Sequence, residues 1–312
     1  MKNLLLVFSG NSNKPLAKRV ADYLNIPLGN CEVTRFPDGE IDVKVLEDVR
    51  GADVFVVQPT CPPVNESLME LLILIDCLRR ASAERVTAVM PYFGYARQDR
   101  KAEGRVPITA KLVANMITTA GAQRALAMDL HAHQIQGFFD IPMDHLYAAP
   151  VLVEHFRKLE LPDLVVVSPD VGGIKMARAY AKRLSAGLAI CDKRRSGPTE
   201  TEVMHIIGDV DGKNVALVDD LISTGTSIAE AARACKGRGA KDVYICATHP
   251  VLAGHAIEKM RKAQLKEIVV TDSIPVEGKD VPSNLRVLSV ANLLGEAIRR
   301  IHKSESVSSL FM

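Results

Sequence analysis

Residues 218–227 read Val218-Asp219-Asp220-Leu221-Ile222-Ser223-Thr224-Gly225-Thr226-Ser227. An apolar run, Val215–Val218, ends in two carboxylates. A turn of small hydroxyl residues with one glycine follows, and a helical pattern starts near Ser227. This is a strand, a tight loop and a helix N-terminus. In open α/β sheets, ligands gather at the carboxyl ends of strands. A helix N-terminus presents unpaired N–H groups and a partial positive charge, which suits a phosphate. Small side chains let the anion reach the backbone, and the hydroxyls add donors. Two acids beside a phosphate make sense if that phosphate hangs on a sugar whose cis hydroxyls the carboxylates accept. An ordinary N-capped helix is the alternative. The Asp-Asp pair at the strand end favours the sugar-phosphate reading.

Outward from this loop, β-branched runs alternate with helical ones. The strands expected are Leu4–Phe8, Val54–Gln58, Val86–Pro91, Ala125–Leu130, Leu164–Ser168, Val215–Val218, Val243–Thr248 and Ile268–Thr271. The helices expected between them are Leu68–Arg80, Ile108–Thr119, Ile174–Leu184, Ile228–Lys236 and Ala256–Gln264. Continuous apolar strands alternating with helices predict an α/β fold with parallel sheets covered on both faces. There is also an internal repeat. Strand Asp53–Thr60, a helix and strand Ala83–Pro91 resemble strand Asn214–Asp220, a helix and strand Ala240–Pro250 in order and spacing. Two similar domains are therefore expected, residues 1–147 and 148–312, joined near Ala148–Pro150 before a helix over Val151–Leu159.

The chain of 312 residues is long enough for two cores. Its 39 Lys+Arg and 37 Asp+Glu leave a net charge of +2, so any anion site is local rather than a global field. This balance gives no argument for nucleic acid or a membrane surface. The absence of Trp argues against base-stacking platforms. Cys31, Cys61, Cys77, Cys191, Cys235 and Cys246 contain no C-x-x-C pair and read as small apolar residues in a reducing compartment. The N-terminal apolar run is cut off by Ser9-Gly10-Asn11 and reads as a first strand, not a signal peptide. Glu70 and Asp76 interrupt the longest apolar stretch, far short of a membrane span. A cytoplasmic location is the expectation.

Three further segments carry chemistry. In Asp129-Leu-His131-Ala-His133, an acid and an imidazole stand two residues apart after an apolar run, able to share a hard cation. H-x-H alone is more often structural than metal-binding. Asp170, just after Leu164–Ser168, can supply a second ligand. Phe36-Pro37-Asp38-Gly39-Glu40 joins two strand-like runs and taken alone is a β-turn. Asp192-Lys193-Arg194-Arg195-Ser196-Gly197-Pro198 ends the apolar run Leu188–Cys191. Most basic triplets are solvated surface, but this one closes a strand and so faces a cleft.

The 219–227 loop resembles the binding signature for 5-phospho-α-D-ribose 1-diphosphate (PRPP) in type I phosphoribosyltransferases. Ser223 and Thr226 stand where the commonest version has an acid and a glycine. With the other segments, the chain resembles class I ribose-phosphate diphosphokinases, from the first strand to Ser306–Phe311. The resemblance implies two phosphoribosyltransferase-like domains, each with a mostly parallel sheet flanked by helices. It implies transfer of the β,γ-diphosphate of Mg-ATP to the C1 hydroxyl of ribose 5-phosphate, giving PRPP and AMP for nucleotide biosynthesis. By the same resemblance Phe36, Asp38, Gly39, Glu40, Arg97 and Gln98 bind ATP, and His131 and Asp170 bind Mg²⁺. Lys193 and Arg195 are catalytic. Arg195, Asp219, Asp220, Ser223, Thr224, Gly225, Thr226 and Ser227 bind ribose 5-phosphate. His133 is not expected to be a ligand. A homohexamer is implied, with the Phe36–Glu40 turn reaching a neighbouring chain's adenine, and inorganic phosphate and ADP are the implied effectors. Two polar, glycine-bearing segments, Arg97–Arg105 and Lys193–Thr201, read as lids or as plain surface loops.

Two alternatives remain. A PRPP-consuming phosphoribosyltransferase needs one such domain and a base-binding hood, which the duplication and Lys193-Arg194-Arg195 disfavour. A catalytically inactive regulatory subunit is disfavoured by the intact Lys193, Arg195, His131 and Asp219.

Overall fold

The computed structural model describes residues 4–194 and 203–311. The chain divides into two compact units. The first is Met1–Tyr147, Ser273–Pro275 and Ser289–Met312; the second is Ala148–Asp272 and Val276–Leu288.

Unit 1 carries β1 (Leu5–Ser9), α1 (Lys14–Tyr23), β2 (Cys31–Arg35), β3 (Ile41–Val45), β4 (Asp53–Val57), α2 (Val64–Arg80), β5 (Arg85–Met90), α3 (Thr109–Ala120), β6 (Arg124–Met128) and β7 (Met143–Leu146). Its main sheet has the order β1-β4-β5-β6-β7, every pair parallel. Every residue of β4 is buried, as a strand covered on both faces requires. Strands β2 and β3 form a separate antiparallel hairpin. The side chain of Asn13 caps α1 by accepting from the Leu16 N–H at 3.2 Å. This is a strong start signal for a helix absent from the sequence expectation.

Unit 2 carries α4 (Ala149–Lys158), β8 (Leu164–Ser168), α5 (Ile174–Leu184), β9 (Gly187–Arg194), β10 (Val203–Ile207), β11 (Asn214–Leu221), α6 (Thr226–Gly237), β12 (Asp242–His249), α7 (Ala256–Lys262), β13 (Glu267–Thr271) and β14 (Leu285–Leu288). Its sheet order is β10-β9-β8-β11-β12-β13-β14, parallel except where β10 folds back on β9. The six cysteines are thiols, four of them buried and two half-buried.

The internal repeat is real in topology. The run β8-β11-β12-β13-β14 repeats β1-β4-β5-β6-β7, with hairpin β9–β10 in the place of β2–β3. Unit 2 begins at Ala148, and unit 1 takes in two later segments, Ser273–Pro275 and Ser289–Met312. The second of these carries α8 (Ala291–His302). The helix after each fifth strand thus joins the other unit: α4 joins unit 2 and α8 joins unit 1.

Packing explains why α8 returns. Leu294, Ala297, Ile298 and Ile301 form its buried stripe. Gly295 accommodates the Tyr23 ring, since a Cβ there would lie 2.5 Å from it. The Tyr23 hydroxyl donates to Glu296 Oε2 at 3.0 Å. Hydrogen bonds from Arg299 first, then from Arg300 and Tyr23, hold the Glu296 carboxyl down to about 2, against the opposing effect of burial. At the far end, buried Asp53 takes Arg85 Nε at 2.8 Å and pairs with His302 Nδ1 at 2.8 Å. Among the described residues no helix is long and apolar enough to cross a membrane.

Candidate active site

The 218–227 segment folds as its composition requires. Strand β11 continues past Val218 to Leu221, because Asp219 and Leu221 still pair with Ala247 and His249 of β12. The backbone then turns into α6 at Thr226, one residue before the expected start. Gly225 is the N-cap with φ +69°, and a Cβ there would press on Ala256 Cα and O at 3.3 Å. Both the left-handed backbone and the close approach favour glycine at this position. The loop is tied to the segment before α7 by Leu252 N–H donating to Ile222 O at 2.9 Å and Ala253 N–H donating to Ser223 O at 3.0 Å. The hydroxyls of Thr224 and Thr226 lie 3.2 Å apart. The Lys259 ammonium, from α7, donates to Thr226 Oγ1 at 2.6 Å.

Asp219 and Asp220 stand at the mouth of this loop. Asp220 is buried, and its N–H donates to Asp219 Oδ1 at 2.9 Å. Burial, followed by the negative charges of Asp220 and Asp170, pushes the Asp219 carboxyl well above the usual range. Such a carboxylate gains from any hydroxyl or cation offered to it.

Strands β8, β9 and β11 run parallel in unit 2, so their carboxyl ends share one edge of the sheet. The last β8–β9 pair is Ser168 with Ile190. Asp170 and Lys193 both follow it, on the edge that carries Asp219. Asp170 Oδ1 accepts from the Gly173 N–H at 3.0 Å at the start of α5. The backbone of Lys193 pairs with Met204 in the β9–β10 hairpin. Strand β9 thus runs on past the apolar Leu188–Cys191. Arg195 and the rest of the expected lid through Thr201 lie outside the described residues.

Unit 1 holds the remaining predicted residues. Phe36–Glu40 caps the β2–β3 hairpin: Gly39 N–H donates to Phe36 O at 2.9 Å, and Phe36 N–H donates to Glu40 O at 2.8 Å. Gly39 takes φ +96°, and Asp38 Oδ1 accepts from the Glu40 N–H at 3.1 Å. The turn chemistry read from sequence is present, and the turn is exposed, with Phe36 half open to solvent. Arg97 and Gln98 sit in an exposed loop between β5 and α3, where the Thr109 hydroxyl hydrogen-bonds Gln98 Oε1.

His131 is exposed just beyond the carboxyl end of β6, after buried Asp129 in a left-handed conformation, φ +38°. This conformation is uncommon outside glycine. Buried His145 supports it, since its Nε2 accepts from the Leu130 N–H at 2.9 Å. The ring of His133 packs near those of His145 and Tyr147, and its Nδ1 meets the Tyr147 hydroxyl at 3.2 Å.

Sequence reasoning missed two residues in this setting, Lys259 and His145. Neither sits in a motif. Lys259 has one available signal, its place one turn after the glycine-bearing segment that follows β12. A cavity of about 530 Å³ beside Arg157, Ser185 and Lys213 is lined by none of the predicted site residues.

Among the described residues no three His, Cys, Asp or Glu side chains converge on a ready-made metal cage. Each unit offers by itself a donor of a kind that Mg²⁺ accepts beyond a strand end, the His131 imidazole in unit 1 and the Asp170 carboxylate in unit 2.

Comparison with known proteins places the chain in a family. The N-terminal domain of ribose phosphate pyrophosphokinase matches residues 5–121, and the phosphoribosyl synthetase-associated domain matches residues 194–312. The chain is 58% identical over 310 residues to the ribose-phosphate pyrophosphokinase of Rhodopirellula baltica, covering 98% of each. It is 56% identical over 308 residues to that of Gloeobacter violaceus, covering 98% of this chain and 93% of that one. The crystal structure of phosphoribosylpyrophosphate synthetase from Mycobacterium smegmatis superposes with a TM-score of 0.92 at 42% identity, over 97% of this chain and 100% of that one. With relatives this similar along nearly its whole length, and with the loop geometry of unit 2, the chain belongs to the ribose-phosphate pyrophosphokinase family.

Proposed function

We propose that this enzyme of PRPP synthesis transfers the β,γ-diphosphate of Mg-ATP to the C1 hydroxyl of ribose 5-phosphate, releasing AMP. The observation that carries the reading is the 219–227 loop. It combines a glycine-capped helix N-terminus and hydroxyl side chains with two carboxylates at a strand end, which supports a sugar-phosphate ligand. The 5-phosphate sits on the N–H groups and hydroxyls of Ser223–Ser227, and Asp219 and Asp220 hold the ribose hydroxyls. That orients C1 outward. Phe36, Asp38, Gly39, Glu40, Arg97 and Gln98 hold ATP.

The C1 oxygen attacks the β-phosphorus in line, and the bond to the α-phosphate oxygen breaks. Little covalent help is needed. Positioning and charge neutralisation of the equatorial oxygens supply most of the rate. Lys193 and Arg195 fill that role. His131 and Asp170 would hold Mg²⁺, which when bound neutralises polyphosphate charge. Closure of Arg97–Arg105 would exclude water as a competing nucleophile. Inorganic phosphate and ADP act as effectors, with Ser306–Phe311 near the regulatory site, and the working assembly is a homohexamer in the cytoplasm.

The test is a coupled assay for AMP from ATP and ribose 5-phosphate. AMP and PRPP are expected in equal amounts. ADP as the nucleotide product, or no product from folded enzyme, overturns the reading.

A shared active site makes a second prediction. The Phe36–Glu40 turn sits on a hairpin separate from the main sheet and is exposed, which supports contact with a neighbouring chain. Glu40→Ala chains then have a sound catalytic centre and a defective adenine contact, and Lys193→Ala chains have the reverse. Co-expressed, they should regain activity that neither variant shows alone. Mixed oligomers that stay at the level of the separate variants would mean that the turn serves its own chain.

A further inference from the structure

We propose that Lys259 is a positioning residue of the phosphate loop, orienting the Thr226 hydroxyl toward the bound 5-phosphate and supplying the positive charge that the loop sequence lacks. The inference rests on the ribose 5-phosphate reading of that loop.

The argument begins with a charge problem. Leu221–Ser227 contains no Lys or Arg, and the two residues before it are Asp219 and Asp220. A phosphate dianion brought here meets two carboxylates. N–H groups and a helix N-terminus supply only partial charges. A full cation nearby offsets them, and α7 brings one. Lys259 lies one helical turn after Ala256, the residue that packs against Gly225. The backbone bonds of Leu252 and Ala253 to the loop fix that spacing, so the ammonium is held at the entrance of α6.

The partner of Lys259 is informative. Most surface lysines meet water or a carboxylate. Lys259 is half-buried and donates at 2.6 Å to a neutral hydroxyl, Thr226 Oγ1. Its acidic neighbour Glu258 is engaged instead with Lys262 and His255. Among the described residues no carboxylate lies within ion-pair distance of Lys259. A cation placed this way, beside an anion-binding loop, is left to be neutralised by the ligand.

The hydrogen-bond logic gives it a second effect. An ammonium can only donate, so Thr226 Oγ1 must accept from it. The hydroxyl proton of Thr226 then points elsewhere, to Thr224 Oγ1 at 3.2 Å or to a bound phosphate oxygen. Lys259 therefore makes Thr226 a donor aimed into the loop.

The experiment compares the full-length enzyme with Lys259→Met and Lys259→Arg. Methionine keeps the apolar stem and removes charge and donors; arginine keeps both. Lys259→Met is expected to weaken ribose 5-phosphate, by KM and by calorimetric Kd without ATP, roughly tenfold, with ATP KM shifted less than about twofold. Lys259→Arg should recover most of the loss. The difference between wild type and Lys259→Met should shrink in about 1 M salt, where screening acts within ~3 Å. Unchanged ribose 5-phosphate affinity in Lys259→Met overturns the proposal. So does equal loss for both substrates, or a loss that follows a fall in Tm and that arginine does not repair. If the wild type itself fails to bind ribose 5-phosphate, the functional reading of the loop falls first. Inorganic phosphate, titrated into wild type and Lys259→Met, then reads the anion role alone, and equal binding sinks it.

Discussion

Lys193→Ala is expected to lower kcat by roughly 10²-fold or more, with a smaller change in KM. The expectation rests on where charge develops. In the transfer proposed above, the ground state already carries the polyphosphate charge, and cations elsewhere in the site serve to bind it. The transition state spreads charge over the equatorial oxygens of the β-phosphorus. A cation placed there stabilises the transition state more than the substrate, and its loss appears in kcat. The backbone supports this role for Lys193. Strand β9 carries it past the last β8 pair, at Ser168 and Ile190, to the edge shared with Asp170 and Asp219. The antiparallel return of β10 pins the Lys193 backbone opposite Met204. Steady-state kinetics with both substrates varied decide the matter. Near-normal turnover in Lys193→Ala would leave the basic segment with no catalytic role.

Asp219→Asn is expected to separate function from stability. The Asp219 carboxyl sits well above its usual range because burial and the charges of Asp220 and Asp170 oppose its ionised form. A carboxyl raised in this way binds its proton more tightly folded than unfolded. Its contribution to stability is therefore greatest below the unfolded-state pKa and is lost as pH rises through the folded one. Above the unfolded-state pKa, the cost of ionising Asp219 in the folded chain works against the fold. Asparagine has the same shape without the charge, so its Tm should rise, by about 2–4 °C if the relief is near 1 kcal/mol. Function should move the other way. Exchanging a charged acceptor of the sugar hydroxyls for a neutral one is expected to raise the ribose 5-phosphate KM by roughly 10-fold to 10²-fold, far more than the ATP KM. Thermal melts and the two KM values form one test. A fall in Tm with equal loss for both substrates would make Asp219 a folding or metal-related residue. A stable variant with weakened sugar binding is the trade expected at a site that holds like charges for a ligand.

Much of this molecule is local, and local features are legible in sequence. A parallel strand covered on both faces must be apolar throughout, so Leu164–Ser168 and its counterparts show themselves. A left-handed turn favours glycine, so Gly39 and Gly225 mark a hairpin tip and a helix start. The Asp-Asp pair and the hydroxyl loop stand within ten residues of one another, and their joint chemistry needs no long-range contact to be read. The repeat of strand, helix and strand indicated two related units for the same reason.

The rest depended on which surfaces meet. The stripe of Leu294, Ala297, Ile298 and Ile301 says that α8 is buried, not against what. Only the fit of Tyr23 over Gly295, the bond to Glu296 and the Asp53–His302 pair assign it to unit 1. Chain order alone sets Ser289–Met312 with the second half of the sequence, and packing puts it in unit 1. Lys259 is the same case at a smaller scale. In the sequence it is one cation among 39, separated from Thr226 by the rest of α6, by β12 and by the turns around that strand. Its meaning comes from the approach of Ala256 to Gly225, which brings the ammonium to a hydroxyl instead of to a carboxylate. Periodicity and turn chemistry act over a few residues and are written in the chain. The partner of an exposed charge or of an apolar stripe is chosen by packing, and that choice exists only in the folded protein.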